Sequence, residues 1–86
     1  MKTIEQIPYK APSPCIECEY IPVVIVKNGS ENAYGIAVHG TRENKLLCVK
    51  EIGTDKELAL SIVDTLNKYT VPYVHFLDIV NDMMNE

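Results

Sequence analysis

The spacing of apolar positions changes several times along this chain, and each change marks an element. Tyr20-Ile-Pro-Val-Val-Ile-Val-Lys27 is apolar and rich in β-branched residues, which predicts a strand. Pro22 has no N–H to give to a ladder, so it predicts an edge position or the strand's first residues. Asn28-Gly29 supplies the positive-φ residues of a tight hairpin within the turn Asn28 to Asn32. Tyr34 to Gly40 reads as a second strand, with Tyr34, Ile36 and Val38 on one face and Gly35, Ala37 and His39 on the other. After a polar turn from Thr41 to Lys45, Leu46 to Ile52 reads as a third strand.

Gly53 breaks the two-residue period. Thr54 and Glu57 have the spacing of a capping box, in which the hydroxyl takes a backbone N–H and the carboxylate reaches back. Leu58, Ile62, Val63, Leu66 and Tyr69 then recur at three- and four-residue steps, one stripe of a helix. Thr70-Val71-Pro72 ends it and opens a second helix from about Tyr73 to Met84, with Phe76, Leu77, Val80, Met83 and Met84 as its apolar side. Short connections between successive strands favour an antiparallel meander. The predicted fold is therefore α+β: a three-stranded antiparallel meander followed by two helices packed on one sheet face, β-β-β-α-α. Residues 1–19 fall outside this pattern. Pro8, Pro12 and Pro14 restrict their neighbours and remove donors, so this segment is expected as an extended arm, lying along the 20–86 domain or around a partner subunit.

Composition narrows the function classes. With 47% hydrophobic and 23% charged residues, the chain has the make-up of a folded domain. Its 86 residues form a single domain with one modest core. A formal charge of −4 with no basic cluster argues against nucleic-acid binding, which needs a positive face for phosphates. The longest apolar stretch, Ile21 to Val26, is far short of a membrane span, and the N-terminus lacks a signal-peptide core. A cytoplasmic protein with no membrane partner is expected. In that reducing compartment, three cysteines do not form a disulfide framework.

The residues that carry chemistry are few. Cys15-Ile16-Glu17-Cys18 is a C-x-x-C, whose thiolates can clasp zinc or form a redox pair; Cys48, His39 and His75 are the other thiol and imidazole groups available to complete four ligands. Alone, Cys15 and Cys18 read more readily as two free thiols in a flexible segment, or as one tucked against the sheet. Cys48, mid-strand, reads as a small buried apolar side chain. His39, next to a turn, reads as a solvated one. His75, Asp78 and Asp82 lie at helical spacing, where they either hold a divalent metal, set up an imidazole for proton transfer, or form the wet edge of an amphipathic helix. Asp82 stands near the negative end of its helix, where a carboxylate wants a partner such as Lys45, Lys50 or another subunit. No glycine-rich phosphate loop and no Ser-His-Asp arrangement is present in the sequence.

Tyr34-Gly35-Ile36, followed by an amphipathic helix and by His75-Phe-Leu-Asp78-Ile-Val-Asn-Asp82-Met-Met, resembles a family of small uncharacterised proteins from Gram-positive, clostridia-like bacteria, a domain of unknown function. The resemblance covers roughly residues 20–86. Asn81 departs from the acidic residue expected there, and the Pro-Cys-x-x-Cys arm is peculiar to this chain. It implies a list of positions and no reaction. The function expected from the sequence is a non-catalytic protein-interaction or regulatory module that self-associates. A zinc-binding or thiol-redox protein using Cys15 and Cys18 is the alternative, and a small enzyme built on His75 and Asp78 a further one. The apolar Val24 and Val26, expected on a sheet face that the helices leave bare, and the adaptable Met83-Met84 end carry the self-association reading.

Overall fold

A computed structural model describes residues 3–9, 18–26 and 32–85. Cys15 and the Asn28-Gly29 turn lie outside these residues. The chain forms strands β1 (Thr3–Gln6), β2 (Cys18–Val26), β3 (Ala33–Gly40) and β4 (Lys45–Gly53), then helix α1 (Lys56–Lys68), a single 3-10 turn (Tyr73–His75) and helix α2 (Phe76–Met84). The strands make one antiparallel sheet in the order β1-β2-β3-β4. The α+β class, the meander and the two trailing helices agree with the sequence reading, but the sheet has four strands, not three. Thr3–Gln6, within the expected arm, pairs with Val23–Val26 as an edge strand. Its four residues bury nothing strongly, so their strand state comes from pairing and not from a local pattern.

Pro22 sits mid-strand between β1 and β3, and geometry explains why it is tolerated. Its carbonyl accepts the Ile7 N–H at 2.9 Å, so the backbone groups of this residue point toward β1. The missing N–H falls just past the last β1 pair, Gln6 with Val23, and the ladder to β3 loses no donor.

The helices cover the face that bears Cys18, Tyr20, Ile36, Val38 and Ile52. Ala59, Ile62, Val63 and Leu66 of α1 and Phe76 and Val80 of α2 complete this core. By alternation with Tyr20, Val24 and Val26 belong to the same helix-side face. The expectation that they lie on a bare face is therefore corrected: Pro22 does not interrupt the strand, so the parity set by Tyr20 runs through to Val26. The other face holds a second, smaller cluster of Val23, Ile25, Ala33 and Ala37, all buried.

Gly35 is required by close approach: a Cβ there would stand 2.6 Å from the Lys50 carbonyl, beside a register shift between β3 and β4. A second shift falls between Val38 and His39. These irregularities, with Lys45 and Lys50 along β4, blunt that sheet edge against strand addition.

Asp55, not Thr54, caps α1, accepting the Leu58 N–H at 3.2 Å. The helix starts one residue later than the capping-box spacing predicts because Asp55 already reaches the third helical N–H. At the other end, Thr70 N–H reaches the Asn67 carbonyl at 3.2 Å and Val71 N–H the Leu66 carbonyl at 3.0 Å, the paired bonds of a Schellman motif. That motif places Thr70 at φ 47, a conformation that glycine adopts without strain and a β-branched residue does not.

Leu66 and Asn67 are both fully buried on α1, and Asn67 is the buried polar residue among those described. Its Oδ1 accepts the Tyr20 N–H at 3.2 Å, and its Nδ2 donates to the Tyr20 carbonyl at 2.9 Å. Tyr20 has the same parity as Pro22, so these backbone groups also point to the β1 side, where β1 has already ended. The amide of Asn67 takes the place of a strand neighbour. Nδ2 also approaches the Tyr9 hydroxyl at 3.5 Å, and that hydroxyl donates to Asp64 at 3.2 Å. Burial raises the Tyr9 hydroxyl above its ordinary pKa; the Asn67 bond opposes the rise, and Asp64 adds to it through its hydrogen bond and its charge.

Three variants test this account of stability, each read by chemical denaturation. Thr70→Gly is expected to stabilise the fold by about 0.5 kcal/mol, since relief of a left-handed β-branched residue, roughly 1–2 kcal/mol, exceeds the glycine entropy cost of roughly 0.5–1 kcal/mol; a loss would contradict the strain. Asn67→Ala is expected to cost at least about 2 kcal/mol, because two buried backbone groups lose their side-chain partner. Asn67→Asp is expected to be less stable relative to wild type at pH 8 than at pH 4. Burial raises a carboxyl's folded pKa, so the variant's stability is held below about pH 4 and falls as pH rises.

Candidate functional surface

The chain from Tyr69 to Asn85 positions most of the side chains singled out by sequence. Pro72 is extended (ψ 149), the His75 N–H closes a turn on its carbonyl at 3.0 Å, and α2 continues from Phe76. Two contacts fix this segment on the sheet. Tyr20 donates its hydroxyl to the Val71 carbonyl at 2.6 Å, and its ring stacks on Phe76 with centroids 5.4 Å apart. Such a ring pair contributes about 0.5–1.5 kcal/mol beyond its buried area. Tyr73 stacks on the outer side of Phe76 at 6.3 Å.

His75, Asp78 and Asp82 are all exposed. His75 is the residue before α2, makes no side-chain cap bond, and its ring is not drawn into the core. Asp78 lies in the first turn, where the positive helix end favours it; Asp82 lies toward the other end. No group of three His, Cys, Asp or Glu residues with metal-holding geometry occurs among the described residues, and these three belong to no such group.

The thiols are placed differently. Cys18 begins β2 and is fully buried, its Sγ 4.0 Å from the Val71 carbonyl. Cys48 is half-buried on β4 opposite Val38, on the helix side. Tyr73 lies above it: the hydroxyl's pKa is raised, first by its hydrogen bond to Cys48 and that thiol's charge, then by desolvation and the charge of Cys18. Cys18 and Cys48 thus share the region under the 3-10 turn, while Cys15 lies outside the described residues. His39 is half-buried on the opposite sheet face, across from Glu19.

A cleft of about 370 Å³ opens at the far end of the helix-side face, bounded by Gln6, Ile7, Pro8, Val24, Tyr34 and Lys56. It is open and mixed in character, and of the residues singled out from the sequence as functional candidates only Val24 lines it.

The feature that sequence reasoning misplaced is the outer side of α2. Phe76 and Val80 are buried, with Ile79 and Met83 packed against the core. Leu77 and Met84, assigned by composition to the apolar side, instead face outward at 53% and 37% exposure. Val74 at 78% and Tyr73 at 38% join them. At 100° per residue the six apolar residues of α2 fall in one arc of about 160°, and burial shows that Phe76, Ile79, Val80 and Met83 take its inner part. Asn67 was also missed. It lies four residues after Val63 and eight after Ala59, on the buried stripe of α1, and a polar residue on such a stripe needs a partner.

Single replacement of His75, Asp78 or Asp82 by Ala is expected to change unfolding free energy by less than about 0.5 kcal/mol, with Asp82→Ala neutral or slightly stabilising. Denaturant midpoints check this; a loss above about 2 kcal/mol for any of them would reveal a buried role.

The chain belongs to a family of unknown function, DUF6514, whose family model matches residues 12–86. Searches of curated proteins and of solved structures give no match.

Proposed function

We propose that this member of a family of unknown function is a small, non-catalytic protein-interaction or regulatory module. The observation that supports the reading is the two-sided character of the C-terminal segment. Its inner side fills the core through Phe76 and Val80, while Tyr73, Val74, Leu77 and Met84 remain in solvent. Leaving apolar side chains in water forgoes about 25 cal/mol per Å² of burial. Clustered on one rigid element, such residues mark a contact surface more often than scattered ones do. His75, just before α2, and Asp78 and Asp82 on it stand open, without an enclosing pocket or oriented partners among the described residues, which proton transfer needs. A second copy of the chain remains a candidate occupant, but Val24 and Val26, which motivated self-association, face the helices.

Affinity capture from the source cell with wild type and a Val74→Asp/Leu77→Asp variant tests the reading. Both positions are exposed, so the variant is expected to keep its fold within about 0.5 kcal/mol while losing the partners that wild type retains. Sedimentation velocity on the same pair registers a second copy as partner. Identical capture and identical sedimentation for the two proteins would defeat the proposal.

A further inference from the structure

The two edges of the sheet are protected in different ways. β4 is irregular and carries Lys45 and Lys50, whereas the outer side of β2 over Val23–Val26 is covered, among the described residues, by the short strand β1. The parity set by the Pro22 carbonyl turns the N–H and C=O of Val24 and Val26 toward β1 too, opposite Glu5 and Thr3. Through these groups β2 takes a neighbour. All four β1 residues are exposed, so little besides this ladder holds the strand in place. β1 also leaves the helix-side face incompletely filled. It presents the Glu5 carboxylate beside half-buried Val24 and Tyr34, and these three residues with Lys56 line the open cleft of about 370 Å³. The family match begins at residue 12, so the β2 edge lies inside the matched region and β1 outside it.

We propose that β1 is a displaceable cover, and that the edge beneath it receives an extended segment of another protein. That segment adds antiparallel to β2 and carries a β-branched or aromatic side chain where β1 has Glu5. Main-chain bonds to Val24 and Val26 hold it, and the apolar side chain fills the cleft over Val24 and Tyr34. The register of β1 shows that an extended chain fits here. The β1 of a second copy brings the same Glu5 and competes with a tethered strand, so it gains nothing over the closed monomer. The proposal is independent of the α2 surface, and Val74→Asp/Leu77→Asp is expected to leave this binding unchanged.

Fluorescence anisotropy with labelled peptides of residues 1–8 tests this. One has the native sequence, the second Glu5→Val, and the third Thr3→Pro/Glu5→Pro, which removes both ladder donors. Each is titrated into wild type and into full-length protein with Glu5→Pro, whose β1 is weakened by one donor. The Glu5→Pro protein is expected to bind the Glu5→Val peptide at least about tenfold more tightly than wild type does, since its edge is open more of the time. It is expected to bind that peptide about fivefold more tightly than the native one, and not to bind the proline peptide. Circular dichroism confirms the fold, and Thr3→Pro replaces Glu5→Pro if it is lost. Amide exchange in wild type needs no variant. Val24 and Val26 are expected to exchange through a local opening, faster than Val23 and Ile25, whose amides face β3. Equal exchange at all four would show that β1 does not open and would overturn the proposal. So would equal binding by wild type and Glu5→Pro protein, or no binding by the folded variant. Equal binding of the native and Glu5→Val peptides would overturn the apolar occupant, and equal binding of the proline peptide the added strand.

Discussion

The amide of Asn67, laid across the backbone of Tyr20, is the contact on which the architecture turns. β2 runs from Cys18 to Val26, but β1 reaches only Val23 along its outer side. Beyond that point the strand needs other partners for its peptide groups, and the helix layer lies over the place where they would be. A side-chain amide carries one acceptor and two donors, so a single Asn satisfies both the Tyr20 N–H and the Tyr20 carbonyl. The same residue sits on the buried stripe of α1 between Val63 and the Schellman turn. One side chain thereby ties the start of β2 to the end of α1. Tyr20 extends the connection to the last segment through its bond to Val71 and its stack on Phe76.

Much of this order was legible in the chain. β2, β3 and β4 follow from apolar and β-branched runs separated by turn residues, and α1 from its stripe of Leu58, Ile62, Val63 and Leu66. Three features were not. β1, with the sequence Thr-Ile-Glu-Gln, has no period of its own and exists because Val23 to Val26 offers it a ladder. The face of Val24 and Val26 depends on whether Pro22 breaks the strand. It does not, because its missing donor falls beyond the end of β1. The direction of Leu77 and Met84 depends on where the helix axis lies relative to the core, which hydrophobicity alone does not set.

The polar candidates divide by physical environment. Asn67 was unremarkable in sequence and is buried with its polar groups matched. His75, Asp78 and Asp82 had regular spacing and are exposed. Regular spacing fixes which side chains share a helix face, and burial decides whether that face is a site, a core or a border. Here all three are in solvent and share one side of the segment, so they line neither a core nor an enclosed site among the described residues. Tyr73 connects the exposed side of this segment to the interior, since it stacks on Phe76.

Native-state hydrogen exchange at the Tyr20 amide tests the central contact most directly, because the Asn67 side chain accepts that N–H from the helix layer. If Asn67 ties the layers together, this amide exchanges only through global unfolding, with the same opening free energy as the amides of β3. Exchange at the rate of the exposed edge strand β1, while β3 stays protected, would show that the sheet and α1 are not joined there.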